Sequence, residues 1–185
     1  MENLFLLIKV MKILKTNFEN LFLIKLKTKS DFRGSFTRLF CDEIFSNFGI
    51  DFKIRQASIA TNKKKHTLRG MHFQDYPRQE QKLLCCLKGK IWDVVVDIRK
   101  NSKTFGQWQY FQLNRNSCLF IPKGFAHGYL TLTSEVELIY FMDELYESKL
   151  SKGIIWNDKK INIPWPFQPK VISKFDQNLT KLNDL

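Results

Sequence analysis

Short apolar segments recur along the chain at intervals of about ten residues between positions 20 and 142, and polar turns separate them. They predict strands at 20–26, 54–61, 67–74, 81–88, 90–98, 107–113, 117–121, 126–132 and 136–142. Residues 41–49 predict a short helix, since acidic side chains occupy its first turn and Gly49 can end it. Many evenly spaced strands with little helix predict an all-β sandwich or jelly roll.

The length of 185 residues and the apolar content of 44% fit a single domain over 1–185 with its own hydrophobic core. We expect residues 1–11 to be a disordered or misannotated extension, with Met11 as a candidate start. The apolar stretch 4–8 is too short to cross a bilayer and lacks the flanks of a signal peptide. The sequence therefore predicts no membrane partner and a cytoplasmic location.

The four cysteines, at 41, 85, 86 and 118, contain no CxxC motif. They predict buried free thiols in a reducing compartment rather than a disulfide framework. Cys85 and Cys86 are adjacent in a predicted strand, so we expect them to point to opposite faces of the sheet.

The formal net charge of +12 suggests anionic partners. The lysines are spread along the chain, and no zinc finger, basic helix or RNA-binding motif is present. This distribution favours a small anionic substrate that the field of the protein attracts, and we expect no nucleic acid partner.

Lone polar side chains interrupt the apolar strands, and they include a base, a cation and a weak acid. These are Arg69, His72, Gln74, Lys82, His127 and Tyr140. Together they fit proton abstraction next to a carbonyl group. Each alone also has a structural interpretation: a hydrogen-bonded histidine, a lysine extending from an edge, or a core tyrosine.

A metal site is the competing interpretation of the same strands. His72, Glu80 and His127 supply two nitrogens and a carboxylate, a set that suits Fe(II) or Zn. Gln74, a poor ligand, stands where a His-x-His pair would need its second histidine. We expect no metal.

Arg69 and His72 fall on opposite faces of a regular strand, because successive side chains alternate. Both can face one pocket only if the strand is irregular between them. The sequence therefore predicts a twist or bulge near Gly70, whose backbone has the necessary freedom.

The chain resembles the dTDP-4-dehydrorhamnose 3,5-epimerase family of sugar-nucleotide epimerases from about residue 12 to 176. The matching segments are "DFRGSF" (31–36), "TLRGMHFQ" (67–74), "EQKLLCCLKGKIWDVVVDIRKNSKTFGQW" (80–108), "IPKGFAHGYLTL" (121–132), "GIIWND" (153–158) and "IPWP" (163–166). The resemblance implies a cupin-type double-stranded β-helix, or jelly roll, with a few short helices and no cofactor.

The resemblance also assigns roles to individual residues. It implies that His72 is the general base, that Asp176 orients it, that Lys82 faces the developing enolate oxygen, and that Tyr140 is the general acid. It implies contacts with the substrate or its diphosphate for a further set: Arg33, Gln56, Arg69, His127 and Tyr146.

Three positions depart from the family pattern. Phe175 stands where a lysine is usual, Arg38 where many members have glutamate, and Gln56-Ala57-Ser58 where many have Gln-Asp-Asn. These departures leave open a different nucleotide, a different hexose, or inversion at C3 alone.

The activity implied is epimerisation of a nucleotide-diphosphate 4-keto-6-deoxyhexose at C3 and/or C5, in deoxysugar and surface-polysaccharide biosynthesis. Family resemblance also implies a homodimer in which residues 19–36 cross to the partner. The alternatives are a 3-epimerase, a sugar-nucleotide 3,4-ketoisomerase on the same scaffold, and a non-catalytic sugar-nucleotide-binding cupin.

Overall fold

A computed structural model describes residues 10–185. Its strands, in chain order, are β1 (Met11–Lys15), β2 (Phe22–Leu26), β3 (Thr28–Asp31), β4 (Gly34–Thr37), β5 (Gln56–Asn62), β6 (Leu68–Gln74), β7 (Lys82–Lys88), β8 (Lys90–Asp97), β9 (Trp108–Asn114), β10 (Ser117–Ile121), β11 (Phe125–Thr131), β12 (Val136–Met142) and β13 (Ser151–Gly153). The helices are α1 (Asp42–Asn47) and α2 (Lys174–Gln177), with 3-10 turns at Ser148–Leu150 and Leu182–Asp184.

The strands form two antiparallel sheets packed face to face. The six-stranded sheet has the order β1-β2-β10-β7-β12-β5, and the five-stranded sheet has the order β13-β6-β11-β8-β9. Strands β3 and β4 form a separate hairpin. This arrangement confirms the predicted all-β jelly roll with a few short helices.

Every predicted strand is present, with bounds within two residues of the prediction. The apolar runs locate these strands because most of them are buried on one or both faces of a sheet, as in β8, β10 and β11. Strands β1, β3, β4 and β13 and helix α2 were not predicted. They have three to five residues each, too few to show a period.

The space between the sheets is filled by side chains that alternate along the strands. Leu84 and Leu138 of the six-stranded sheet meet Val95 and Tyr129 of the five-stranded sheet, and all four are buried. Burial of large apolar side chains on this scale is the main source of stability for such a fold.

Both outer faces of the sandwich are also covered. Ile44 and Phe45 of α1, with Phe52, pack on the outside of the six-stranded sheet against Phe120. The C-terminal segment covers the outside of the five-stranded sheet. It thereby brings α2 next to β6, the strand that carries His72.

The prediction of free thiols is wrong for one pair, because Cys85 and Cys118 form a disulfide. These residues lie directly opposite each other on β7 and β10, with Cα atoms 4.3 Å apart, a distance close to the lower end of disulfide geometry. The prediction for Cys85 and Cys86 is confirmed, since the first packs outside the sheet and the second inside. Cys41 and Cys86 are free.

One residue of the expected N-terminal extension, Met11, lies in a strand. Met11 is 3% exposed and begins β1, which pairs with β2, so Met11 belongs to the folded sheet. The rest of that prediction, for residues 1–9, lies outside the described residues. Within residues 10–185, no helix has the length and apolar character needed to span a membrane.

Strand β6 contains the predicted bulge. His72 lies opposite His127 of β11, whereas Arg69 lies opposite Tyr129. The two β6 residues are three positions apart and their partners only two, so β6 holds one extra residue at this point. Gly70 has φ +120, and a Cβ there would lie 2.5 Å from the Cα of Gly128, so only glycine fits without a shift.

Candidate active site

A pocket of about 510 Å³ opens between the two sheets. The five-stranded sheet contributes side chains of β6 and β13 to its wall, and the six-stranded sheet contributes side chains of β5, β7 and β12. Nine positions named in the sequence analysis lie in its lining: Gln56, Ser58, His72, Gln74, Glu80, Lys82, Tyr140, Tyr146 and Phe175.

His72 is paired with a buried carboxylate. Its Nε2 lies 2.6 Å from Oδ1 of Asp176, which is 3% exposed. The backbone N–H of Gly70 donates to the other carboxylate oxygen, and the Ser173 hydroxyl accepts from the Asp176 N–H at the start of α2. This pairing fixes the imidazole orientation and leaves Nδ1 free to accept a proton.

Lys82 is held by a carboxylate inside the same pocket. Its Nζ lies 2.9 Å from Oε1 of Glu80, and the two side chains are 13% and 9% exposed. An ammonium group has three N–H donors. One can serve Glu80 while the others point to a ligand in the pocket.

Tyr140 faces the pocket from β12, on the sheet opposite to His72. Burial raises the pKa of the Tyr140 phenol well above its ordinary value, and the nearby Tyr129 and Asp93 raise it further. The hydroxyl therefore carries its proton at neutral pH, as a general acid requires.

His127 lies next to this group but behind the lining. Its ring centroid is 6.0 Å from that of Tyr140, and its Nδ1 is 3.3 Å from Oδ2 of Asp93. Burial lowers the pKa of His127 well below its ordinary value, and the charges of Lys82 and His72 add to this effect. The imidazole is therefore neutral at neutral pH.

The sequence reasoning missed Asp93. Its side chain is fully buried, and burial raises its pKa well above the ordinary value, an effect that Lys82 partly opposes. The available signal was a single carboxylate in the apolar run 91–96, "IWDVVV". An acid inside such a run needs a buried partner, and here the partner is His127.

Two residues that line the pocket, Gln56 and Tyr146, are joined by a hydrogen bond. The backbone N–H of Tyr146 donates to Oε1 of Gln56 at 3.1 Å. Arg69 lies beside the pocket rather than in its lining, where its Nε donates to Oδ1 of Asn62 and its Nη2 to the carbonyl of Thr61. The bulge places Arg69 on the same side of β6 as His72.

Arg33 is not brought to this pocket. It lies between β3 and β4, pairs with Asp31 at 2.6 Å, and has a side chain that is 76% exposed. A second depression surrounds it and is lined only by hairpin residues 29–36.

The competing metal set is not assembled. Across the part of the chain that the structure describes, no three histidine, cysteine, aspartate or glutamate side chains are placed to hold a metal ion. Glu80 pairs with Lys82, and His127 pairs with Asp93.

A jelly roll with an imidazole–carboxylate pair, an ammonium group and a protonated phenol around one pocket defines an enzyme of the proton-transferring isomerase class. The family model described as dTDP-4-dehydrorhamnose 3,5-epimerase matches residues 15–184. The chain belongs to this family of cupin-type carbohydrate epimerases, as the resemblance implied.

Relatives and solved structures agree with this assignment. The chain is 37% identical over 177 residues to the dTDP-4-dehydrorhamnose 3,5-epimerase of Shigella flexneri. The aligned region covers 94% of this chain and 97% of the relative. The crystal structure of the enzyme from Bacillus anthracis, with TDP and pyrophosphate bound, has a TM-score of 0.89 and 36% identity, covering 93% and 99% of the two chains. The Legionella pneumophila enzyme in complex with dTDP-4-keto-L-rhamnose has a TM-score of 0.88 and 33% identity, covering 94% and 93%.

Proposed function

We propose that this protein epimerises a nucleotide-diphosphate 4-keto-6-deoxyhexose, of the dTDP-4-dehydrorhamnose type, at C3 and/or C5. The product would enter deoxysugar and surface-polysaccharide biosynthesis. One observation carries the proposal: His72 with Asp176 lies on one wall of the pocket, while Lys82 and Tyr140 lie on the other sheet.

The first step is removal of a proton by His72. The C4 carbonyl acidifies the C–H bonds at C3 and C5, and Nδ1 of His72 takes the proton. The electron pair of the C–H bond moves into a carbon–carbon double bond, and the carbonyl π pair moves onto the C4 oxygen. Asp176 stabilises the imidazolium that results.

The second step is stabilisation of the enolate by Lys82. A fixed donor aimed at a developing oxyanion in a pocket screened from water contributes about 3–4 kcal/mol. Glu80 supports this role because it holds the ammonium group in place before the substrate arrives.

The third step is protonation from the other side of the sugar. A ring lying between the sheets has His72 on one face and Tyr140 on the other. When the Tyr140 hydroxyl gives its proton to the carbon, that carbon is inverted. The phenolate and the imidazolium then recover their starting states by exchange with solvent.

The remaining roles concern the diphosphate and the nucleotide. Arg69 would form charge-assisted hydrogen bonds to the diphosphate. Gln56 and Tyr146 would contact the substrate from the pocket wall, and Arg33 would do so from a second subunit. His127 would support the wall from behind, next to Tyr140.

The partner is a second copy of this chain, and the part of the expected segment 19–36 that would cross to it is the β3–β4 hairpin, because β2 pairs with β1 and β10 of its own chain. Phe32 is 98% exposed and Phe36 is 71% exposed on the hairpin, which pairs with no strand other than its own two among the described residues. Exposed aromatic side chains on a projecting hairpin fit a contact with another protein surface. A cytoplasmic location follows from the substrate, because nucleotide sugars are made inside cells.

The test is incubation with dTDP-4-keto-6-deoxyglucose in D₂O, followed by NMR. Deuterium at C3 and C5 with inverted product supports the 3,5-epimerase. Deuterium at C3 alone supports a 3-epimerase. One solved relative has that activity: the 3'-monoepimerase of Streptomyces bikiniensis, with a TM-score of 0.84 and 28% identity, covering 91% and 86% of the two chains.

Other outcomes of the same experiment point elsewhere. A product with the carbonyl moved to C3 would indicate the 3,4-ketoisomerase. Binding without any exchange, for every 4-keto nucleotide sugar tried, would contradict the epimerase and indicate a non-catalytic binding protein.

A further inference from the structure

Phe175 is an exposed aromatic side chain on the wall of the active-site pocket. It is 55% exposed, and its ring centroid lies 5.9 Å from that of His72. It occupies the position immediately before Asp176 in α2, and Asp176 is anchored to both His72 and Gly70. The backbone of Phe175 is therefore fixed beside the base.

The position of a base limits which part of the substrate lies near it. To remove a proton, a base must approach the carbon to about 3–3.5 Å. Any substituent on that carbon is only one bond away. When His72 acts at C5, the substituent is C6, so a side chain that flanks His72 also flanks C6.

The lining next to His72 is apolar on this side. The ring of Phe175 supplies this apolar surface, whereas Phe73, the next residue after His72 in β6, packs against the cluster on the outer face of the five-stranded sheet. In a 6-deoxyhexose C6 is a methyl group, which gains by burial against an aromatic ring. A hydroxymethyl group in the same place would need a hydrogen-bond partner that a phenyl ring cannot supply.

We propose that Phe175 is a specificity-determining residue that contacts the C6 methyl group and selects 6-deoxyhexoses over 6-hydroxyhexoses. This inference rests on the proposed function, because it takes His72 as the base at C5. Burial of one methyl group corresponds to about fourfold in affinity, and an unpaired hydroxyl in its place brings the preference to roughly tenfold.

The test compares two unreactive ligands that differ by one hydroxyl group, dTDP-6-deoxy-D-glucose and dTDP-D-glucose, by titration calorimetry. We expect the unaltered protein to bind the 6-deoxy ligand roughly tenfold more tightly. Phe175→Ala should reduce this ratio to about twofold, whereas Phe175→Leu, which keeps an apolar contact, should retain most of it. Because Phe175 is more than half exposed, both variants should fold.

Phe167 provides a matched control. It is also an exposed phenylalanine (47%) of the C-terminal segment, and it stacks on a histidine, His66, at 4.5 Å, outside the pocket. Phe167→Ala should leave the ratio unchanged.

The proposal is overturned if the unaltered protein binds both ligands equally. It is also overturned if Phe175→Ala keeps the ratio or weakens both ligands by the same factor. These outcomes are separate from failure of the proposed function, which is a lack of deuterium exchange by the unaltered protein. Normal exchange with an unchanged ratio refutes the role of Phe175 alone.

Discussion

At the scale of single residues, the proposed chemistry depends on the two oxygens of Asp176, because they fix the orientation of the His72 imidazole. One carboxylate oxygen fixes its Nε2, and the second is held by the Gly70 N–H. Asp176 therefore acts on the substrate only through the imidazole, as a positioning residue. The rate should depend on it much more than binding does.

Asp176→Asn should lower the rate of deuterium exchange about 100-fold, because the amide can neither stabilise the imidazolium nor hold the correct tautomer. The dissociation constant for dTDP should change less than about twofold, since ground-state binding does not use this charge. NMR measures the exchange rate, and calorimetry measures the dissociation constant. Asp75→Asn is the control, because Asp75 pairs with Lys152 outside the pocket lining. If Asp176→Asn lowered the exchange rate less than about threefold, the proposed role of the His72–Asp176 pair would be wrong.

Tyr140→Phe should separate exchange from inversion. His72 can still remove a proton and return deuterium to the same face, so exchange should continue at a measurable rate. Inversion should fall at least about 100-fold, because the acid on the other face is missing. NMR of the recovered sugar distinguishes the two. Equal loss of both activities would show that Tyr140 is needed before protonation.

Much of the residue-scale picture could be predicted from the sequence, because a polar side chain in an apolar strand is conspicuous. His72, Lys82 and Tyr140 were found in this way. Their roles stay predictions until the experiments above are done. Asp93 and the disulfide between Cys85 and Cys118 were missed, because both depend on which residues face each other across strands. That register is set by tertiary packing and is not visible in a local pattern.

At the scale of elements, two features carry unusual local demands: the bulge in β6 and the loop after β8. The bulge needs a positive φ at Gly70 and close approach to Gly128. The loop is organised by Asp97, whose carboxylate accepts hydrogen bonds from three side chains, namely Arg99, Ser102 and Thr104.

Gly70→Ala should destabilise the protein by at least about 3 kcal/mol, since backbone strain and a clash with backbone atoms act together. Gly34→Ala is the matched control, because Gly34 also has a positive φ, +135, but nothing lies within 4 Å of an added Cβ. It should cost about 1 kcal/mol. Urea unfolding measures both. If both variants lost the same unfolding free energy, the close approach of Gly70 to Gly128 would make no contribution to stability.

Asp97 predicts a specific dependence of stability on pH. Burial raises its pKa, but hydrogen bonds from Arg99, Thr104 and Ser102 outweigh this and lower it to about 2. Because the folded pKa lies below the ordinary value, the carboxylate stabilises the fold above about pH 4 and loses this effect as the pH falls towards 2. The side chain is fully buried, and the contribution is about 2 kcal/mol.

The measurement is the difference in unfolding free energy between the unaltered protein and Asp97→Asn. It should be about 2 kcal/mol at pH 7 and should fall to a small fraction of this value as the pH approaches 2, because the folded carboxylate is then about half protonated. A difference that does not change with pH would assign the effect to packing instead.

The element-scale prediction from sequence succeeded where segments are long and rich in buried apolar residues, as in β7, β8 and β12. It failed for the hairpin β3–β4, whose residues are mostly exposed. A strand with no buried face has no alternation to detect. Helix α2 has only four residues and is fixed by contacts of Asp176 and the Ser173 cap, which a sequence window cannot show.

At the scale of the whole molecule, the two sheets and their outer covers leave the β3–β4 hairpin projecting with Phe32 almost fully exposed. Arg33 next to it lies outside the pocket of its own chain. In a dimer, the partner subunit would cover Phe32, and Arg33 would contact a ligand bound in the partner's pocket.

Phe32→Asp should weaken dimerisation by at least about tenfold, because a charge would replace a buried aromatic anchor. The same substitution should also weaken dTDP binding, because loss of the dimer would remove Arg33 from the partner's pocket. Sedimentation velocity and calorimetry test the two effects. Tyr76→Asp is the control, because Tyr76 is also highly exposed (78%) but lies outside the hairpin. A monomeric unaltered protein would refute the dimer.

The extra residue in β6 changes the parity of the strand, that is, whether its odd-numbered or its even-numbered positions face the pocket. Before the bulge, odd-numbered positions such as Arg69 lie on the pocket side; after it, even-numbered positions such as His72 do. Deletion of one residue between them would therefore not merely shorten the strand but exchange its inner and outer side chains from that point on. An arginine and a histidine three positions apart within an apolar strand can thus serve, in other sequences, as a marker of a strand that changes parity.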